Sequence, residues 1–254
     1  MQRFEPMVAV DVETKQEALR LFDKLSSDTD HQPIVKIGME LYYAFGPGIV
    51  REAKGRGLTV FLDLKLYDIP NTVERTMRVL GALGASFVTT HAAGGTEMMK
   101  AAKRGLLAGA AAAGRRQPKL LAVTKLTSID EQILHDEQKV AGTLIEAVQN
   151  AAHLTEAAGL DGVICSAQEV EAIRQVTGPD FLCVTPGIRL NLDNKDDQKR
   201  VVTPAQAREL GSNAIVVGRP ITLAKDPMKA YNEIRQDFMG CLLYTSPSPR
   251  DGAT

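Results

Sequence analysis

Eight short apolar runs, each followed by a stretch with helical periodicity, constrain this chain more than any other feature. They cover residues 7–12, 33–38, 59–65, 87–92, 119–126, 162–167, 181–186 and 213–218. Runs of this length bounded by turn formers read as buried strands. Between them, Ala18, Leu21, Phe22 and Leu25 make one apolar helical face. Val140, Leu144, Ala147, Val148 and Ala151 make another. Glycines at 55 and 57, and at 81 and 84, read as helix stops. Thr203-Pro204 reads as an N-cap followed by a proline at the first helical position. Strands alternating with helices imply a parallel sheet. Eight such units in 254 residues predict an α/β fold closed into a (β/α)8 TIM barrel, parallel and eight-stranded. An open doubly wound sheet is the alternative, but no GxGxxG follows the first run.

In such a barrel the site lies where the strands end and the following loops begin. The third run continues as Asp63-Leu-Lys65-Leu-Tyr-Asp68-Ile-Pro-Asn-Thr72. Strand side chains alternate, so Phe61, Asp63 and Lys65 are expected on one face, roughly 6.6 Å apart. An acid and an amine desolvated together at a strand tip mark a site more often than a support. Other runs also end in polar residues: Asp11 on the first, Lys36 on the second, Thr89-Thr90-His91 on the fourth, Thr124-Lys125-Leu126-Thr127-Ser128 on the fifth. Gly187-Ile-Arg189 follows the seventh and Gly218-Arg219 the eighth. Together they predict a shared anion-binding mouth. Glycine lets a backbone N–H approach a phosphate oxygen, and arginine offers it a planar fork. The polar stretch 191–202 is long enough for a lid and equally readable as a solvated loop.

Composition narrows the partners. With 30 basic and 31 acidic residues and a net charge of -1, there is no basic excess for a nucleic acid. No apolar run approaches a membrane span, and the first five residues lack the apolar core of a signal peptide. A soluble, cytoplasmic chain is expected. Cys165 and Cys183 sit in apolar runs and Cys241 in the tail, a spacing that fits buried thiols rather than zinc or disulfides. The four histidines are dispersed with no HExxH pair, so no metal site is expected. Residues 1–240 are expected to form one barrel domain. Residues 241–254, with three prolines or glycines and no amphipathic period, read as a non-native or disordered tail, a native flexible tail being the alternative.

With Asp63-x-Lys65-x-x-Asp68-Ile-Pro-Asn-Thr72, Pro186-Gly-Ile-Arg189, Asp196-Asp-Gln198 and Val217-Gly218-Arg219 in this order, the chain resembles the orotidine 5'-phosphate decarboxylase family in its bacterial form. The resemblance runs from about residue 7 to about residue 239. The first motif alone also occurs in related phosphosugar lyases, such as 3-keto-gulonate 6-phosphate decarboxylases. The resemblance implies decarboxylation of orotidine 5'-phosphate to UMP and CO2, without a cofactor or metal. It implies that Lys65 is the proton donor beside Asp63, within an alternating Lys36–Asp63–Lys65–Asp68 network. Asp68 and Thr72 would be contributed across a homodimer interface. Asp11 and Lys36 would bind ribose hydroxyls, and Thr127 would face the pyrimidine. Gln198, Gly218 and Arg219 would hold the phosphate with support from Arg189. Two alternatives stand beside this. One is a phosphosugar decarboxylase or aldolase on the same scaffold, though Lys36 occupies a place where a metal-dependent version needs a carboxylate. The other is a non-catalytic phosphonucleotide-binding barrel.

Overall fold

The apolar runs become strands that pair in sequence order, and the sheet closes when β8 pairs with β1. The computed structural model describes residues 2–28, 30–190 and 201–240. Its strands are β1 (Met7–Ala9), β2 (Ile34–Gly38), β3 (Thr59–Leu66), β4 (Phe87–His91), β5 (Lys119–Val123), β6 (Gly162–Ile164), β7 (Leu182–Thr185) and β8 (Ala214–Val217). All neighbours are parallel and the barrel is closed, as the alternation of strands and helices predicts. The helices are α1 (Lys15–Leu25), α2 (Met39–Phe45), α3 (Pro47–Gly55), α4 (Pro70–Ala82), α5 (Gly95–Ala112), α6 (Leu144–Ala157), α7 (Val170–Arg174), α8 (Pro204–Glu209), α9 (Arg219–Thr222) and α10 (Pro227–Met239).

Strand alternation divides the core in two. Val8, Val35, Leu62, Val88, Leu120 and Ile215 point outward and pack beneath the helices against Phe22, Ile49, Met77 and Leu106. Met7, Ile34, Phe61, Phe87, Leu121, Leu182 and Ala214 point inward and fill the barrel. Burying each large apolar side chain contributes about 1.5–3 kcal/mol relative to leaving it in water. One step towards the strands' C-terminal ends, the inward file changes character on one side only. Lys36, Asp63 and Thr89 follow Ile34, Phe61 and Phe87, whereas β6 to β8 continue with Ile164, Val184 and Val216.

Local signals set the helix ends. Thr14 and Glu17 form a reciprocal capping box before α1, and Thr203 and Gln206 do the same before α8, whose first residue is Pro204. Ala18, Leu21, Phe22 and Leu25 form the buried face of α1. The helix pair α4 and α5 is unusually close. A Cβ on Gly105 or Gly109 would lie 2.1 or 1.9 Å from the carbonyl oxygen of Glu74 or Arg78. That contact fixes α4, and with it the segment that leads out of β3.

Three expectations need correction. β1, β5 and β6 each end three residues earlier than their apolar runs, because Asp11, Lys125 and Cys165 already belong to the loops at the barrel mouth. Val140 is not part of a helical face: α6 begins at Leu144, after Thr143 caps it. Lys65 does not continue the plain alternation of β3. Phe61 and Leu62 pair with Phe87 and Val88, but the next pair is Leu66 with Thr90, so three residues of β3 face Thr89 alone. This bulge places Lys65 in the left-handed region, with φ of 49°.

Candidate active site

The C-terminal mouth of the barrel opens into a cavity of about 450 Å³. Asp11, Lys36, Asp63, Lys65, Thr127, Arg189, Gly218 and Arg219, which come from six different strand ends, all line it. Its apolar walls come from Ala9, Phe61, Val123, Leu126, Ile164 and Val216. Eight of the residues singled out in the sequence thus meet in one place.

The charged wall is an ordered row. Lys36 Nζ donates to Asp11 Oδ1 at 3.1 Å and lies 3.7 Å from Asp63 Oδ2. Lys65 Nζ donates to the same Asp63 oxygen at 2.8 Å. Asp63 and Lys36 are each 8% exposed. A Cβ on residue 38 would stand 3.2 Å from Asp11 Oδ1 and 3.3 Å from Lys36 Nζ, so glycine there leaves room for their ion pair. Burial alone would raise the Asp63 carboxyl. The charges of Lys36 and Lys65, then hydrogen bonds from Lys65 and Thr89, outweigh burial and hold it below the ordinary carboxylate range. Asp63 is therefore an anion clamped between two cations.

Thr89 makes the bulge workable. Its hydroxyl donates to Asp63 Oδ1 at 3.0 Å and accepts the Lys65 backbone N–H at 2.9 Å. A left-handed lysine is uncommon, and such backbone strain concentrates at functional sites. One threonine thus satisfies the strained residue's amide and aims the acid beside it. The fourth run marked Thr89 only as a polar strand end. Its role depends on the bulge, which has no signature in the sequence.

The opposite wall carries its charges in loops. Arg189 is 9% exposed, and its Nη1 donates to the Ile188 carbonyl at 2.9 Å. Ile188 bridges to Val202, with Val202 N–H donating to Gly187 O at 3.1 Å and Arg189 N–H to Val202 O at 3.0 Å. Gly187, at φ of 82°, makes the turn that this bridge requires. Arg219 opens α9 directly after Gly218 at the end of β8.

Not every expected residue joins the cavity. Asp68 and Thr72 are exposed and outside its lining; Asp68 Oδ1 accepts the N–H of Ile69 at 2.6 Å. Gln198, with the rest of 191–200, lies outside the described residues, as does the tail beginning at Cys241. Lys125 lines the cavity although no role was assigned to it. Burial, then the charges of Lys125 and Lys65, push the His91 imidazole below its usual range. Cys165 and Cys183 are buried; the hydrogen bond between their thiols, with burial, pushes Cys165 well up and keeps it protonated. Among the described residues, no three His, Cys, Asp or Glu side chains gather as a metal-holding group, and no helix is long and apolar enough to cross a membrane.

Residues 5–234 match the model of the Orotidine 5'-phosphate decarboxylase / HUMPS family. The chain is 53% identical over 232 residues to the orotidine 5'-phosphate decarboxylase of Lactiplantibacillus plantarum, covering 91% of this chain and 97% of that one. It is 51% identical over 234 residues to the enzyme of the same name from Halalkalibacterium halodurans, covering 92% and 98%. The crystal structure of orotidine 5'-phosphate decarboxylase from Lactobacillus acidophilus is similar with a TM-score of 0.82 and 44% identity, covering 92% of this chain and 98% of that one.

Proposed function

The chain belongs to the Orotidine 5'-phosphate decarboxylase / HUMPS family, and from that premise we propose that Lys65 is the proton donor in its reaction. The activity is the decarboxylation of orotidine 5'-phosphate to UMP and CO2, a carboxy-lyase step of UMP biosynthesis. When the bond from the ring carbon to the carboxylate breaks, its electron pair stays on a carbon with no good sink. A fixed ammonium in a preorganised site stabilises that developing charge and then delivers a proton to the same carbon. The observation that carries this reading is the clamped Asp63. An acid kept ionised between Lys36 and Lys65 keeps Lys65 aimed into the cavity. Asp63 also crowds the place where the substrate's carboxylate must lie, which adds ground-state stress.

The remaining roles are those that membership of the family implies. Asp11 and Lys36 take ribose hydroxyls, Thr127 faces the pyrimidine, and Gly218, Arg219 and Gln198 hold the phosphate with Arg189 behind them. Binding energy at the phosphate, remote from the bond that breaks, drives closure around the reacting end. Asp68 and Thr72 act in the site of a second copy, completing a Lys36–Asp63–Lys65–Asp68 network there. Exposure of Met39 and Tyr43 in α2 and of Tyr67 and Ile69 after β3 supports such a homodimer, because exposed large apolar side chains favour association. The barrel unit runs to about Gly240, where a left-handed C-cap ends α10. The enzyme works in the cytoplasm, since a highly charged nucleotide substrate stays on the side of the membrane where it is made.

Purified protein mixed with orotidine 5'-phosphate, without added metal, is expected to abolish the orotate absorbance and yield UMP. Intact orotidylate after prolonged incubation would remove this function. Formation of a borohydride-trapped adduct with a phosphosugar would favour the aldolase alternative instead.

A further inference from the structure

Among the described residues, cations outnumber acids along the lining of the cavity. Lys36, Lys65, Lys125, Arg189 and Arg219 line it, against Asp11 and Asp63. Lys36 and Lys65 share those two acids. Lys125 differs: its Nζ donates to the neutral Gln138 Oε1 at 3.0 Å, and among the described residues it makes no ion pair. It is half-buried, standing between the cavity and a neighbouring one of about 490 Å³ that also touches Tyr67, His91 and Gln138. Burial lowers the Lys125 ammonium below its usual range, so its charge is partly desolvated and not screened by an adjacent acid.

Its position names the part of the substrate it faces. Lys125 follows β5 by two residues and precedes Thr127 by two, on the side assigned to the pyrimidine. Lys125 lines that neighbouring cavity together with His91, whose imidazole feels the charges of both Lys125 and Lys65. Arg189 and Arg219 follow β7 and β8, further round the barrel. We infer that Lys125 is a specificity-determining residue whose ammonium favours the anionic base of orotidylate over the neutral base of the product. This rests on the site reading given above. Orotate carries a carboxylate at the reacting carbon and uracil carries hydrogen there, so a cation at the base end distinguishes the two. During decarboxylation the negative charge passes from the carboxylate to the neighbouring carbon and stays near Lys125. Stabilisation that is equal in ground and transition states lowers KM and leaves kcat unchanged.

The test is steady-state kinetics of wild type, Lys125→Gln, Lys125→Met, Lys125→Arg and Gln138→Ala, with UMP as competitive inhibitor. Both neutral variants should raise KM for orotidine 5'-phosphate roughly three- to fivefold, the scale of one partly solvated charge contact. Their kcat and the UMP inhibition constant should stay within about twofold of wild type. Lys125→Arg should restore KM, and Gln138→Ala should change it less than Lys125→Gln does. Unchanged KM in both neutral variants overturns the inference. Equal weakening of substrate and UMP also overturns it, because Lys125 would then hold groups common to both. A KM rise in Gln138→Ala as large as that in Lys125→Gln would mean that Lys125 merely tethers the loop. Failure of wild type to decarboxylate orotidylate sinks the site reading itself; an active wild type beside insensitive Lys125 variants sinks only this inference.

Discussion

The two halves of the cavity are built differently. On the half formed by β2 to β4, the polar groups are strand side chains: Lys36, Asp63 and Thr89 stand directly above core residues, and Asp63 pairs with Lys36, Lys65 and Thr89. On the half formed by β5 to β8, the strands stay apolar to the mouth, and Lys125, Arg189 and Arg219 sit in the loops beyond. The first half is rigid because a shift in Asp63 would break contacts with Lys36, Lys65 and Thr89 together. The second half hangs its cations on loops rather than on the strand ladder. Groups that must be held within fractions of an ångström of a reacting atom belong on strands, and groups that capture and release a ligand belong on loops.

The contrast breaks most directly at Lys65. If the strand half supplies the chemistry, Lys65→Ala should lower kcat by about 10⁴-fold or more, since both charge stabilisation and proton delivery are lost. Its circular dichroism and its affinity for UMP should change little, because the loop half remains. A variant retaining a tenth of wild-type kcat would place the chemistry elsewhere.

Arg219→Ala tests the other half. Losing one charged hydrogen-bond partner costs about 2 kcal/mol, or roughly thirtyfold in kcat/KM. If Gln198 holds the phosphate as proposed, Gln198→Ala should cost less, because an amide donor is neutral. Both should lose this dependence on a truncated substrate that lacks the phosphate. Wild-type kcat/KM in Arg219→Ala on the full nucleotide would dissolve the division of labour.

Acid should separate the halves as well. Asp63 titrates in the folded chain below the unfolded carboxylate value of about 3.9. A depressed folded value means stability that is fully present above the unfolded pKa and lost as pH falls through the folded one. The stability gap between wild type and Asp63→Asn, read from urea unfolding, should therefore shrink as the pH is taken from neutral to below 4. A constant gap would mean that Asp63 is not held ionised by its neighbours.

Much of this is legible in the sequence itself. The barrel follows from eight alternating units, because strand and helix periods are local. Lys36, Asp63, Lys65, Arg189 and Arg219 announce themselves as charges at the ends of apolar runs. The β3 bulge did not announce itself. A left-handed residue usually signals as glycine or asparagine, and here it is a lysine held in place by a threonine 24 residues later. Lys125 was visible only as one more polar strand end, since its lack of an acidic partner among the described residues is a property of the assembled mouth.

Thr89 should give a smaller effect on catalysis than Lys65 or Arg219 and the sharpest view of how the strand half works. Thr89→Val keeps the shape and removes both a donor to Asp63 and an acceptor for the Lys65 N–H. Leaving a part-buried amide unpaired should destabilise the fold by about 1–3 kcal/mol. Lys65 keeps its ion pair with Asp63 through Oδ2, so its charge is retained and only its aim loosens. The expected result is a kcat lowered about tenfold, with KM nearly unchanged, because positioning is lost while binding on the loop half is not. Thr89→Ser, which retains the hydroxyl, should recover most of the rate. If Thr89→Val raised KM and left kcat alone, the strand half would be contributing binding rather than alignment, and the two halves would not differ in kind.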